Sequence, residues 1–370
     1  MGRRTARTEV VDRPMGSAET EPRPSGTPRG RWLTVGKDGR LTLYATARDG
    51  LLRWTEERPG GPEWTGPDFF RVEDLTDLTI VQGADSYVHF LGRRDRPDAE
   101  GPGVDIVHAI QYQTGRPVTE WRSLGNPYRG AERGRLVGVP AGVVDARGTV
   151  FVFVRNAGGG LQLRRERPDG GWGAWQDLKG ARLADGPVPA ATSNGFVEVL
   201  VPTERGVLQW RQEAPDGPFG PGQLLQIYAV EGSGATLETA PGRLTYFWTD
   251  PNTGGVVAFR AGAWPVPLGG APGAGAVAAV RAPLDGYDCT VLAHRGTGGT
   301  LLMGACGTEG EHQGVWWQDT GVNCAANPAL ALDAFGRIVV AVLGADGVLR
   351  VARQDAGPGL SLSPHWQSVG

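Results

Sequence analysis

Residues Val143 to Gly180 read VVDARGTVFVFVRNAGGGLQLRRERPDGGWGAWQDLKG, and this stretch decides the fold. A glycine turn at Gly148 leads into an apolar strand, Thr149 to Val154. A second turn at Gly158, Gly159 and Gly160 leads into Leu161 to Arg165. A Pro-Asp-Gly-Gly turn then leads to Trp175, with Leu178 and Gly180 behind it. Short strands joined by tight glycine turns make an antiparallel meander, not a helical unit.

The pattern recurs along the whole chain. Anchor turns at Gly39, Ser86, Gly148, Gly195, Gly242, Gly286 and Gly336 open long strands and are spaced 47, 62, 47, 47, 44 and 50 residues. Further glycines keep phase behind the anchors: Gly50, Gly160, Gly206, Gly255, Gly299 and Gly347. A tryptophan follows at Trp64, Trp121, Trp175, Trp264, Trp317 and Trp366, with a W-x-x-L-G tail at Trp121–Gly125. The fourth repeat lacks it, and Gly222 stands near its place. A short apolar segment precedes each anchor, which brings the count to four strands per repeat. Seven repeats of four antiparallel strands predict an all-β, seven-bladed β-propeller. Strands such as VFVFV are apolar on both faces because each blade packs between two others. An open solenoid would show shorter coils and polar caps, and neither is seen.

The expected organisation is a disordered tail over 1–30, rich in Pro, Arg, Glu, Ser and Thr, and a single propeller over 31–370. Blades are expected at about 31–70, 71–125, 136–180, 187–226, 235–270, 276–321 and 326–370. Each terminus supplies its own blade, so closure of the ring rests on packing between blades one and seven.

Composition narrows the function. The chain of 370 residues has 59 Gly, 28 Pro and a net charge of -3, so no basic field points to nucleic acid. Only Lys37 and Lys179 are lysines. No apolar run is long enough for a transmembrane helix, and the N-terminus has no apolar signal core, so a cytoplasmic protein without membrane contact is expected. Cys289, Cys306 and Cys324 show no CxxC spacing, and buried thiols are expected, although one pair could form a disulfide. No metal or cofactor is called for: HExxH, G-x-S-x-G and P-loop motifs are absent. Oligomerisation stays open.

The combination of Gly148 to Val154, Gly160 to Leu163, Trp172 with Trp175 and Leu178, and Trp121 to Gly125 resembles the seven-bladed propeller lectins of the Photorhabdus lectin type. Tectonin and fungal fucose-lectin propellers are more distantly similar. The resemblance spans about residues 31 to 370. It implies binding of fucose and related, sometimes O-methylated, sugars between blades through Trp faces and polar side chains. This chain departs from those lectins in its uneven repeats, the missing Trp of blade four and an enlarged blade two.

A sugar site needs an aromatic face beside hydrogen-bonding groups. Trp54 with Arg53 and Trp210 with Gln209 offer that combination at equivalent places in blades one and four. Equivalent positions elsewhere are Arg164, Phe259, Met303 and Val351, so the fold does not demand Trp there; the bland reading is a wedge between blades. The Trp repeated in six blades reads as packing. Polar residues also interrupt apolar strands: His89 and Glu198, Asp105 with His108, and Asp288 with His294. Such groups must find partners, line the channel or reach a cleft. If they converge, they could act as acid and base. Two enlarged connections in blade two, Gly92 to Gly103 and Asn126 to Arg135, could border a site or be solvated excursions.

The leading expectation is a non-catalytic, lectin-like propeller whose partner is a sugar or glycosylated small molecule. The alternatives are a metal-independent intracellular enzyme of specialised metabolism (a cyclase, lyase or hydrolase) and a protein-interaction scaffold.

Overall fold

A computed structural model describes residues 22–96, 101 and 103–369. Seven four-stranded antiparallel meanders span 33–71, 75–125, 141–179, 188–225, 235–269, 278–323 and 329–369. The chain is a seven-bladed β-propeller, and among the described residues helix is confined to Ala131–Gly134 and the 3-10 turn Glu311–Gln313. No helix among the described residues is long and apolar enough to cross a membrane. In every blade the first strand is innermost and the fourth outermost. The turns between strands one and two, and between three and four, therefore share one face of the disc, here the turn face. The turns between strands two and three, and the linkers between blades, share the opposite, linker face.

The second strands carry the core. Phe151, Phe153, Val197, Val199, Phe247, Val340 and Val342 are fully or almost fully buried between neighbouring blades. The anchor turns close on themselves by local chemistry. Asp145 Oδ1 accepts the amides of Arg147 and Thr149, and Asp333 Oδ1 those of Phe335 and Arg337. Gly148 and Gly336 follow at φ 86° and 74°, a region that costs glycine least. A second device recurs at the end of the third strand. Glu56, Gln212 and Gln354 accept the first amide of their own second strand, at Leu41 (2.8 Å), Val197 (2.8 Å) and Ile338 (3.2 Å).

The four meander strands of each blade come from one continuous stretch, and a shared core together with an ion pair joins the last blade to the first. Ala329, Ala331, Val339 and Val351 of blade seven share a core with Leu33, Leu41 and Leu43 of blade one. Beside that core, Arg353 donates to Glu56 Oε1 (2.5 Å) and to the Gly61 carbonyl (2.9 Å).

Within the span expected to be a disordered tail, residues 22–30 are described, and they pack. Ser25 and Gly26 bond to Thr46 of blade one, and Arg29–Gly30 adds a parallel strand to the inner edge of blade two. The correction has a plain physical cause: the inner strand of blade two, Leu75–Gln82, leaves backbone groups open at the axis, and this segment pairs with them. The rest of the expected tail lies outside the described residues, as do 97–100 and 102 of the blade-two insertion. The second enlarged connection is tied down by Asn126, whose Nδ2 donates to Val104 O (3.0 Å) and Gly134 O (3.1 Å).

Glu56 is fully buried and compensates Arg353 across the closure. Glu56→Ala leaves that guanidinium buried beside only a distant Asp333 (3.9 Å). The expected cost is about 3–5 kcal/mol, read as a drop in urea-unfolding free energy; a loss below about 1 kcal/mol would show that closure does not depend on this pair.

Candidate functional site

Two of the recurring tryptophans are hydrogen-bonded wedges. Trp175 Nε1 donates to Leu124 O of the preceding blade (3.2 Å), and Trp317 Nε1 to Leu268 O (2.8 Å). Trp210 makes the same bond from a different strand, to Leu178 O (2.9 Å). It occupies the space left by the missing Trp of blade four, since a Cβ on Gly222 would lie 2.8 Å from the Trp210 ring. The stacking role expected of Trp54 and Trp210 is thus not open to them: their exposures are 3% and 1%. Strand alternation also separates each from its expected polar partner. Trp210 turns toward blade three, while Gln209 turns toward blade five.

The polar halves of those pairs are spent inside the ring. Arg53 pairs with Asp68 (2.6 Å) and donates to Gln111 Oε1 of blade two (2.9 Å). Gln209 donates to Glu198 Oε2 (3.2 Å), and Tyr246 of blade five donates to Glu198 Oε1 (2.7 Å). Burial first, then the Glu198 carboxylate, pushes the Tyr246 hydroxyl well above its ordinary range.

The candidate acids and bases do not converge. His89 Nδ1 and His108 Nε2 lie 3.1 Å apart in blade two, with His108 edge-on to Trp172 of blade three. Asp105 is engaged by Arg94 (3.3 Å) and Arg96 (3.2 Å), away from that pair. Asp288 pairs with Arg281 (2.5 Å), and His294 packs on Trp317 with neither ring nitrogen bonded. The expectation of a joint His–carboxylate site fails because the carboxylates are engaged by other partners and each histidine packs within or next to its own blade, His294 with no side-chain hydrogen bond at all. Among the described residues no three His, Cys, Asp or Glu side chains gather to hold a metal, and all three cysteines are free.

What reaches solvent lies elsewhere. The exposed aromatic side chains are Phe69, Tyr87, Tyr112, Tyr228, Trp264, Tyr287, Trp316 and Phe335. All but Phe69 and Tyr228 sit on turns of the turn face. The four most exposed belong to blades five, six and seven: Trp264 at 89%, Trp316 at 86%, Tyr287 at 74% and Phe335 at 70%. Register explains both tryptophans. In blades two and three the wedge precedes its leucine by three residues, whereas Trp264 precedes Leu268 by four. A one-residue slip turns a strand side chain to the other side, so Trp264 leaves the wedge slot. Trp316 immediately precedes the true wedge Trp317 and must point the opposite way.

A polar cluster lies at the junction of blades five and six. Arg260 donates to Thr245 (2.9 Å) and pairs with Glu311. Glu309 accepts from Thr239 (3.1 Å) and pairs with Arg243 (2.9 Å). One oxygen of buried Glu311, Oε1, has no partner. Arg243, Arg281 and Asp288 are about half exposed, although each is already ion-paired, Arg243 with Glu309 and Arg281 with Asp288. Sequence reasoning missed this cluster. Its signal was the acidic loop Gly307–Gly314, GTEGEHQG, set directly before the Trp pair.

The linker face holds a cleft of ≈ 390 Å³ between blades three and four, without an aromatic lining. Arg155 and Arg182 there are balanced by Glu204 and Glu231.

No family model and no curated protein matches this chain. Solved structures do share its fold. The BP39L lectin of Burkholderia pseudomallei superposes with a TM-score of 0.68 at 13% identity, covering 92% of this chain and 99% of the lectin. An ulvan lyase of a polysaccharide lyase family, bound to a GlcA–Rha3S saccharide, gives a TM-score of 0.54 at 11% identity, covering 92% and 95%. The chain therefore has the seven-bladed fold used by propeller lectins. At these identities the likeness defines architecture alone.

The histidines carry a pH signature. Burial lowers His89 to about 4 and His108 to about 3, and it lowers His294 too. An unfolded histidine titrates near 6.5, so between about pH 6.5 and 4 the unfolded chain binds protons that the folded chain refuses. This stability is complete above about pH 6.5 and is lost as pH falls. The melting temperature is expected to drop from pH 7 to pH 5, with a shallower slope in His89→Phe/His108→Phe; an unchanged slope contradicts the assignment.

Proposed function

We propose that this protein is a non-catalytic saccharide-binding propeller that engages its ligand on the turn face of blades five to seven. The carrying observation is the exposure of Trp264 and Trp316 on blades five and six, which also carry the half-exposed Arg243, Arg281 and Asp288. An indole that packs against nothing leaves apolar area in water, a state that marks interaction surfaces when several such groups cluster. Covering roughly 100 Å² of one indole by the C–H face of a sugar is worth about 2.5 kcal/mol, and the neighbouring charges supply hydrogen bonds to hydroxyls. That a lectin and a saccharide-bound lyase share the fold accords with this reading. The separation of the His and carboxylate side chains gives the enzyme reading no site to act through.

Binding to a glycan array, followed by titration calorimetry with the best saccharide, tests the proposal. Trp264→Ala and Trp316→Ala are each expected to weaken binding at least tenfold while leaving the unfolding midpoint within about 0.5 kcal/mol of wild type, as exposed substitutions do. Full affinity in the double variant would overturn the placement, and silence across the array with capture of a protein partner would favour the scaffold reading.

A further inference from the structure

The axis of the propeller holds a charge that the fold does not explain. Arg29–Gly30 pairs in parallel with Thr79 and Ile80 on the inner edge of blade two, and the Arg31 amide donates to Ile80 O (2.9 Å). These residues therefore lie in the bore. Trp32 turns into the core of blade one and is 2% exposed. Arg31, whose amide is bonded to that inner edge, keeps its side chain exposed. Protein surrounds it closely enough that desolvation lowers its pKa, and no neighbouring carboxylate offsets that loss. Yet its side chain remains open to solvent, as expected for a group standing in a channel. Among the described residues Arg31 forms neither an ion pair nor a side-chain hydrogen bond.

Arg29 lies two residues earlier, on the same inner-edge segment. Its guanidinium reaches across the bore to the linker before blade four, where Nη1 lies 3.4 Å from the Cβ position of Gly186. It too has no ion pair among the described residues. The acids nearest this linker are already occupied. Asp185 accepts the Val139 amide (3.1 Å) and the Gly186 amide (2.9 Å), and Glu231 accepts the Asp185 amide (3.0 Å). Two guanidinium groups thus face one bore with no protein counter-charge committed to them. Both side chains are solvent-exposed and unpaired among the described residues, and a planar guanidinium fork matches the paired oxygens of an oxyanion.

We infer that the bore is an anion-binding site in which Arg31, with Arg29 nearer the linker-face mouth, holds one oxyanion group: a carboxylate, phosphate or sulfate. The site lies on the axis, apart from the turn-face aromatics, and does not rest on the saccharide proposal. The oxyanion is either a free inorganic ion or the acid group of a larger ligand such as a uronic acid.

The test uses the full chain. Its melting temperature is measured against sulfate, phosphate, glucuronate and neutral glucose, with sodium chloride holding ionic strength constant. Wild type is expected to show a saturable rise with the three anions and none with glucose. Arg31→Met should abolish the saturable part and keep only the linear salting response; Arg31→Lys should retain a weakened one, and Arg29→Met should weaken it several-fold. Should Arg31→Met fail to fold, calorimetric titration of wild type and Arg31→Lys with sulfate decides. Tighter binding of glucuronate than of sulfate identifies a larger acidic ligand, and the reverse a free ion; either supports the site. An undiminished saturable response in Arg31→Met, or none in wild type, overturns it.

Discussion

An indole N–H that crosses a blade boundary to a carbonyl of the preceding outer strand ties together three of the seven blade junctions. Trp175, Trp210 and Trp317 each make it, to Leu124, Leu178 and Leu268. The bond fixes the angle between neighbours, and the ring of the indole fills the space between them. A four-stranded blade is apolar on both faces and cannot bury either alone, so stability accrues only when every blade has two neighbours. Closure is then the last such junction, and it is made without strand exchange. A shared apolar core and the buried Glu56–Arg353 pair join the final blade to the first.

That constraint also sorts tryptophan into two populations. In blades two and three the wedge sits three residues before its outer-strand leucine. Trp264 misses this by one residue, and Trp316 is the surplus member of a Trp–Trp pair; both are expelled into solvent on the turn face. The ring spends indoles on architecture wherever the register allows, so the side chains left over are the ones available to a ligand. The same logic governs charge. Glu198, Asp105, Arg53 and Arg353 are consumed by inter-strand or inter-blade pairs, whereas Arg31 on the axis is not.

The fold was legible because its signals are local and repeated. Glycine anchors near a 47-residue period, apolar strands and the W-x-x-L-G tail needed no three-dimensional knowledge to read. The site was not, since exposure depends on single-residue register. Trp210 looked dispensable because Trp is not repeated at its position, yet Gly222 twelve residues later had vacated the slot it fills. Trp264 looked like a wedge because the extra residue before Leu268 hides within a loose motif. His89 and His108 sit nineteen residues apart and meet only through strand pairing. Arg29 and Arg31 bordered a segment whose composition read as a tail, and only the parallel pairing to blade two brings them to the axis.

The division of tryptophans into wedges and platforms is the central claim, and the indole N–H region of a ¹H–¹⁵N correlation spectrum tests it most directly. Addition of a binding saccharide should shift the Trp264 and Trp316 resonances and leave those of Trp175, Trp210 and Trp317 in place. Their wedge N–H groups should also exchange slowly with deuterium, while the two exposed ones exchange at once. Shifts confined to the wedge resonances, with Trp264 and Trp316 unmoved, would contradict the account.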